Sequence, residues 1–426
     1  MQETRSIRKI AFVGDHVPRK CGIATFTSDL LGAVANTHPR SDCRAVSVTD
    51  IQGEYDYPAV VRCEIEEQNE SSYVEAAQYL NSSEVDVVCV QHEFGIYGGP
   101  AGAHLLSLLS RLEAPVVTTL HTVLPHPNMD QFRVMQEIVD RSARLVVMTE
   151  RGQTILQETY QAPQARIDLI PHGIPDVPFV EPEFYKEQFG LSGRRVLLTF
   201  GLLSPNKGIE TVIKALPEIA AEFPDVVYLV LGATHPNELR TRGDAYRNHL
   251  EALVKQNGVE HNIQFLNRFV PLHELTEFIG AADLYITPYL DEAQITSGTL
   301  AYAFGAGKAV ISTPYWHAAE LLKDQRGVLV PFGSPSAIAQ EAKALLRDRP
   351  RWNAMRRRAY GLGREMIWSS TARRYMSSFL LAQRPATKEL YAVAHAAASG
   401  QREDDMARIN LEPLWPGPDS TVARRW

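Results

Sequence analysis

The residues best able to do chemistry stand where apolar runs end. His92 closes the run in VQHEFGIYGG with Glu93 beside it, His121 follows the run in TTLHTVLPHP, and His172 stands in IPHGI. A histidine directly after a buried strand points from the carboxyl edge of a parallel sheet, where such sheets bind ligands. In FVGDHVPRKCGIATF, Gly22 opens a helix beside Arg19 and Lys20; in TFGLLSPNKGIETVIKAL, Lys207 precedes the helix that Gly208 opens. In YLDEAQITSGTLAYAFGAGKAVISTP an acidic turn, Asp291 and Glu292, leads through Gln294 to Ser297, Gly298 and Thr299, and then into a helix over 300–306 that Gly307 ends. A helix start carries unpaired N–H groups and roughly half a positive charge, so with a nearby ammonium it suits a phosphate or a sugar-nucleotide diphosphate. Each feature alone has a plainer explanation: Ser-Gly-Thr can simply cap a buried helix, Gly22 can be a turn glycine, and a loop lysine can be solvated. The histidines lack Ser/Asp or Cys partners at triad spacing, and no H-E-x-x-H or Asp-rich metal motif occurs. Gly14 with Gly22 does not supply G-x-G-x-x-G, which disfavours dehydrogenase chemistry.

Positioning these groups takes alternating strands and helices. Short β-rich runs at 10–13, 45–49, 85–91, 116–120, 145–148 and 167–170 alternate with helical stretches at 24–35, 72–80, 102–112, 129–141 and 153–160. That rhythm predicts βαβ units and a parallel sheet covered on both faces. A proline-rich break from Pro171 to Pro182 reads as a linker, after which strands are expected at 196–200, 227–231, 263–265, 284–287, 309–312 and 328–330. The fold class is therefore α/β, with two Rossmann-like domains in series, 1–178 and 179–365, whose parallel sheets face a central cleft. Helices are expected at 337–346, 352–365 and 371–381. From 384 onward charge, proline and small residues replace the rhythm, which predicts a partly disordered tail over 384–426 with one helix near 389–398.

The chain of 426 residues is 45% apolar, enough for packed cores, and long enough that two domains are expected. A net charge of −7 gives no global attraction to nucleic acid or to an anionic membrane. Cys21, Cys43, Cys63 and Cys89 lie singly, without metal-ligand spacing, as in a reduced cytosol. The first apolar run, Ile10 to Val13, is far short of a signal sequence or a membrane span. A cytoplasmic location is expected, with no transmembrane segment and with peripheral membrane contact left open.

The order of CGIATF, LHT, IPHGI, FGLLSPNKG, FLNRF and GAGKAVISTP resembles glycosyltransferase family 4, the retaining GT-B enzymes of group 1 type, over about residues 8–382. The resemblance implies a nucleotide-diphosphate-sugar donor held by the second domain and a glycosyl acceptor held by the first. It also implies a closing segment, MIWSSTARRYMSSF within 366–383, that crosses back onto the first domain. Gly22 falls on the family's diphosphate-contacting glycine, His121 on the histidine beside the donor sugar, and Lys207 on the phosphate lysine of G-R-L-x-x-x-K-G. The arginine of that motif is Leu202 here, with Arg268 of FLNRF a candidate substitute. Gln294 and Tyr302 fall on the two glutamates of E-x7-E; Glu292, two residues early, is a candidate for the first role, and the second, which in the family holds the nucleotide ribose, has no evident replacement. GATHPNELR and EAQITSG resemble a subgroup with its own version of this loop, and ARINLEPL resembles the start of an extra helical domain in some relatives. The resemblance implies a metal-independent, cofactor-free retaining transferase serving polysaccharide or glycoconjugate synthesis. His121 and Glu292 would act at the reacting sugar. Gly22, Lys207, Arg268, Gln294, Ser297, Gly298, Thr299 and Tyr302 would hold the donor, with His92 and Glu93 on the acceptor side. Two alternatives stay open: a sugar-nucleotide-binding protein without transferase activity, and an epimerase or phosphorylase on the same fold.

Overall fold

In the computed structural model, which describes residues 7–384, apolar runs covered on both faces build two wholly parallel sheets. The first part of the chain runs β1 (Lys9–Gly14), α1 (Gly22–Thr37), β2 (Asp42–Thr49), β3 (Val61–Glu66), α2 (Glu70–Ser82), β4 (Val87–His92), α3 (Leu105–Leu109), β5 (Val116–Leu120), α4 (Met129–Arg141), β6 (Arg144–Val147), α5 (Glu150–Tyr160) and β7 (Ile167–Leu169). Its sheet has the order β3-β2-β1-β4-β5-β6-β7. The second part runs α6 (Glu183–Lys186), β8 (Arg195–Phe200), α7 (Ile209–Glu222), β9 (Val226–Leu231), α8 (Pro236–Arg242), α9 (Ala245–Gln256), β10 (Ile263–Leu266), α10 (Leu272–Ala281), β11 (Leu284–Thr287), α11 (Gly298–Gly305), β12 (Ala309–Ser312), α12 (Trp316–Leu321), β13 (Val328–Leu329), α13 (Pro335–Arg347) and α14 (Arg349–Gly363). Its sheet has the order β10-β9-β8-β11-β12-β13.

In both sheets the chain reverses its direction of travel beside the first strand, between β1 and β4 and between β8 and β11. Adjacent strand ends there diverge and leave a crevice at the carboxyl edge. The groups singled out at the junctions after β1, β8 and β11 therefore fall at these two crevices, and the junction after β5 lies one strand beyond the first of them.

Three elements differ from the sequence reading. β3 was not foreseen: its sequence VRCEIE alternates, and because it forms the sheet edge only Ile65 of its side chains is fully buried. The helix expected over 102–112 is a 3-10 turn at Pro100–Gly102 followed by the short α3. The proline-rich break is no loose linker, for Ile174 is fully buried and bridges to Ile367, with Ile174 N donating to Met366 O and Trp368 N to Ile174 O, both at 2.9 Å.

After that bridge, α15 (Trp368–Ala382) returns to the first sheet. Tyr375 reaches Thr119 Oγ1 at 2.9 Å, Ser378 donates to Asp168 at 2.7 Å, and Phe379 meets Phe12 edge-on at 6.3 Å. Residues up to 383 form one compact unit. The expected tail, its helix near 389–398 and the ARINLEPL segment lie outside the described residues. Among the described residues no helix is long and apolar enough to cross a membrane.

Candidate active site

A cavity of 650 Å³ opens between the two crevices, within the usual size range of a small-ligand site. A second cavity of 470 Å³ lies elsewhere, between the end of α12 and α14, and its arginines are engaged: Arg351 with Glu341 and Arg358 with Gln325. The larger cleft gathers most of the groups picked out from the sequence.

Its cationic wall begins after β8. Pro205–Lys207 form one 3-10 turn, and Gly208 takes φ +63° as the cap of α7. A Cβ on Gly208 would lie 2.1 Å from Pro288 O, so only glycine lets this turn press against the end of β11. Asn206 fastens the same contact, accepting from Asp291 N through its side chain and from Leu290 N through its carbonyl. Lys207 is thereby aimed across the cleft, with Nζ donating to the Tyr289 hydroxyl and lying 4.2 Å from that ring's centre. Tyr289 reaches Thr299 Oγ1 at 3.0 Å, Thr299 reaches Ser297 Oγ at 3.2 Å, and Ser297 Oγ accepts from Leu300 N as the cap of α11. Burial would push the Tyr289 phenol up, but the Lys207 ammonium and the bonds from Lys207, Thr299 and Ser297 outweigh it and bring it below its ordinary value. An ammonium, a hydroxyl relay and a helix N-terminus thus form one continuous anion-favouring surface.

Histidines form the floor. His121 Nε2 meets Gln91 Oε1 at 3.0 Å, and Gln91's amide nitrogen in turn meets Cys89 Sγ. An amide oxygen can only accept, so Nε2 carries the proton of the neutral ring. Burial, then the neighbouring His172 and His92, lower the His121 pKa to about 3. His172 Nδ1 donates to Gly173 O at 2.7 Å, and burial lowers its pKa to about 4. Its ring fills the space beside Gly298, where a Cβ would come within 2.9 Å of His172 Nε2. His317 Nδ1 accepts from Ser297 N at 2.9 Å, and burial lowers its pKa to about 3. Phe26 of α1 packs edge-on to His121 at 4.8 Å, to His172 at 5.0 Å and to Trp368 at 5.3 Å, which fixes the floor to α1 and α15.

The lining carboxylates come from the first half of the chain. Glu93 accepts from the Thr122 hydroxyl and from Phe94 N at 2.9 Å, and burial holds its carboxyl above the ordinary range against these two bonds. Asp29 on α1 accepts from the Tyr302 hydroxyl of α11 at 2.8 Å, which ties the two halves together at the cleft wall.

Of the expected site residues, Gly22, Glu93, His121, Lys207, Gln294, Ser297, Gly298, Thr299 and Tyr302 line the cleft. A Cβ on Gly22 would meet no protein atom within 4 Å, so that backbone is open to a ligand. Three expectations are corrected. Glu292 lies at the exposed tip of a turn that Asp291 Oδ1 closes by accepting from Ala293 N, and it points to solvent rather than to the cleft. Arg268 is exposed and paired through both terminal nitrogens with Glu274, outside the lining. His92 is fully buried behind the wall, packed on Phe94 at 4.9 Å and stacked on Tyr97 at 6.3 Å, and neither ring nitrogen has a partner among the described residues. Arg19, noted beside Gly22, is likewise engaged with Asp15, Asp50 and Glu67. Asp29, Tyr289, His235 and His317 were not foreseen. Tyr289 heads the quoted YLDEAQITSGT stretch and His235 stands in GATHPNELR, yet neither carried an expected role; Asp29, Tyr289 and His235 line the cleft, and His317 is buried behind Ser297.

Paired parallel sheets around a cleft with an anion-favouring wall define the GT-B class of nucleotide-sugar enzymes, and comparison with known proteins agrees. Family models match over residues 194–348 (Glycosyl transferases group 1) and 64–176 (Glycosyltransferase Family 4). The chain belongs to this glycosyltransferase family. It is 27% identical over 290 residues to the D-inositol 3-phosphate glycosyltransferase of Corynebacterium glutamicum (strain R), covering 62% of this chain and 66% of that protein. It is 25% identical over 269 residues to the lipopolysaccharide glucosyltransferase WaaG of Escherichia coli (strain K12), covering 61% and 62%. The chain thus spans just under two thirds of the length of these curated relatives. In fold it is similar to Anabaena Alr3699/HepE, solved in complex with UDP and glucose, with a TM-score of 0.69 and 17% identity over 87% of this chain and 99% of that one.

Proposed function

We propose that the protein is a retaining glycosyltransferase that moves a sugar from a nucleotide-diphosphate-sugar donor to an acceptor hydroxyl, without a metal. The observation that carries this is the surface running from Lys207 through Tyr289 and Thr299 to the start of α11, inside a cleft of donor size. As the glycosidic bond of the donor breaks, charge gathers on the leaving diphosphate. A fixed ammonium and helix amides stabilise that charge more than the ground state, which lowers the barrier. His121, neutral and oriented by Gln91, offers the sugar a polar contact without repelling the positive charge that develops on its ring. Retention and family membership go together in the resemblance, and the acceptor side falls to Glu93 and Thr122.

One observation favours the binding-protein alternative: the E-x7-E positions hold Gln294 and Tyr302, and Glu292 points away from the cleft. Thermal shifts with UDP-, GDP- and ADP-sugars, followed by nucleotide release in the presence of acceptors and EDTA, separate the readings. A ligand at about 100 times its Kd stabilises by roughly 2.7 kcal/mol, so donor choice reads out directly. Turnover in EDTA is the expected result. Binding without nucleotide release from any acceptor would establish the binding protein, and turnover lost in EDTA and restored by Mg²⁺ or Mn²⁺ would refute metal independence.

A further inference from the structure

Among the described residues the carboxylates lining the cleft are Asp29 and Glu93, and they differ in what they have left to offer. Both oxygens of Glu93 are taken, one by the Thr122 hydroxyl and one by Phe94 N. Asp29 has only its Oδ2 engaged, by the Tyr302 hydroxyl at 2.8 Å, and its Oδ1 meets no donor among the described residues. The α11 side supplies no carboxylate of its own here: Gln294 spends its amide N–H on Thr296 O, Tyr302 is a donor, and Glu292 faces solvent. A cleft that takes a nucleotide-sugar must meet several hydroxyl donors, and an ionised carboxylate is the side chain that can accept from two at once.

We infer that Asp29 is the diol-binding carboxylate of the cleft, accepting from two neighbouring hydroxyls of the donor, and that the Tyr302 hydroxyl occupies one of those places when no ligand is bound. The inference rests on the glycosyltransferase reading. It places the contact on α1 rather than on α11, so that the first half of the chain shares in holding the donor. Burial holds the Asp29 carboxyl above its ordinary range despite the Tyr302 bond, and a second hydroxyl donor would offset that cost. The diol belongs either to the nucleotide ribose or to the transferred sugar.

The test is titration calorimetry on the full chain with UDP, GDP and ADP, then with the 2′,3′-dideoxy form of whichever binds tightest, and with UDP-glucose, GDP-mannose or ADP-glucose of the same base. The variants are Asp29→Asn, which still accepts from Tyr302, and Tyr302→Phe. If the ribose is the diol, wild type prefers the parent nucleotide over its dideoxy form by about 10- to 150-fold, as for hydrogen bonds to a charged group. Asp29→Asn then reduces that preference to about twofold or less, while Tyr302→Phe keeps it. If the sugar is the diol, Asp29→Asn instead loses the affinity gained between the nucleotide and its sugar conjugate. Either pattern supports the assignment. Both differences surviving in Asp29→Asn would overturn it, as would their equal loss in Tyr302→Phe, which would reduce Asp29 to one end of a structural bridge. Failure of every nucleotide to bind wild type would refute the glycosyltransferase reading and this assignment with it.

Discussion

Lys207 is the cation whose removal should separate donor binding from folding. Among the described residues its ammonium donates to Tyr289, whose hydroxyl keeps Thr299 as a second partner, so little packing depends on it. Lys207→Ala should lower donor kcat/KM by about 10- to 150-fold and leave unfolding free energy within about 1 kcal/mol of wild type. Urea titration and donor kinetics check both halves. Glu292→Gln should stay within about twofold in kcat/KM, because its side chain lies in solvent at a turn tip; a large loss there would restore Glu292 to the mechanism. Lys207 was legible because it stands at a strand-to-helix junction just before a helix-opening glycine and falls on the phosphate lysine of the family motif, although a loop lysine alone is often only solvated. Arg268 was misread because its partner Glu274 lies across the turn into α10, and ion pairing is invisible without geometry. His92 and His121 looked equivalent, yet His92 pairs with Leu120 in register and is still inside the sheet, while His121 lies one residue beyond and escapes the pleat.

At the scale of elements, the turn over Pro205–Lys207 transmits backbone geometry to the site. Gly208→Ala would place a Cβ 2.1 Å from Pro288 O at φ +63°, so the turn must withdraw from the end of β11. Destabilisation of roughly 1–3 kcal/mol is expected, together with weaker nucleotide binding although no ligand contact is removed. Full affinity in a folded Gly208→Ala would show that Lys207 reaches its position without the turn. The buried strands were readable because parallel sheets demand unbroken apolar runs. β3 was not, since an edge strand needs burial on one face only and its VRCEIE carries charge. α5 begins at Glu150 rather than at 153 because Thr149 caps it by accepting from Gly152 N at 3.1 Å. The break after β7 was misjudged because Ile174 finds its partner, Ile367, 193 positions later, beyond the reach of any local pattern.

Across the whole molecule, buried titratable groups should tilt stability with pH in opposing directions. His92, His172 and His317 are buried, and burial holds their pKa values at about 3, 4 and 3. In the unfolded chain a histidine titrates near 6.5. As pH falls below that value each is protonated only on unfolding, so each withdraws about 1.4 kcal/mol of stability per pH unit until its folded value is reached. Asp15 works the other way. Burial, against the pull of Arg19, raises its carboxyl to about 7, so between pH 7 and about 4 it holds a proton in the folded state that the unfolded chain releases. It therefore adds stability as pH falls through 7. Single variants isolate each contribution. His92→Phe puts a ring among Phe94 and Tyr97 and removes two unpartnered nitrogens. Whatever its packing offset, its stability relative to wild type should rise by roughly 2 kcal/mol between pH 7 and pH 5. Asp15→Asn should change relative to wild type in the opposite sense, by roughly 2–3 kcal/mol over the same interval. Urea unfolding of the three proteins at both pH values measures these differences directly. Parallel stability curves for wild type and His92→Phe would show that His92 takes up its proton in the folded state, and hence that the wall behind His121 opens to water.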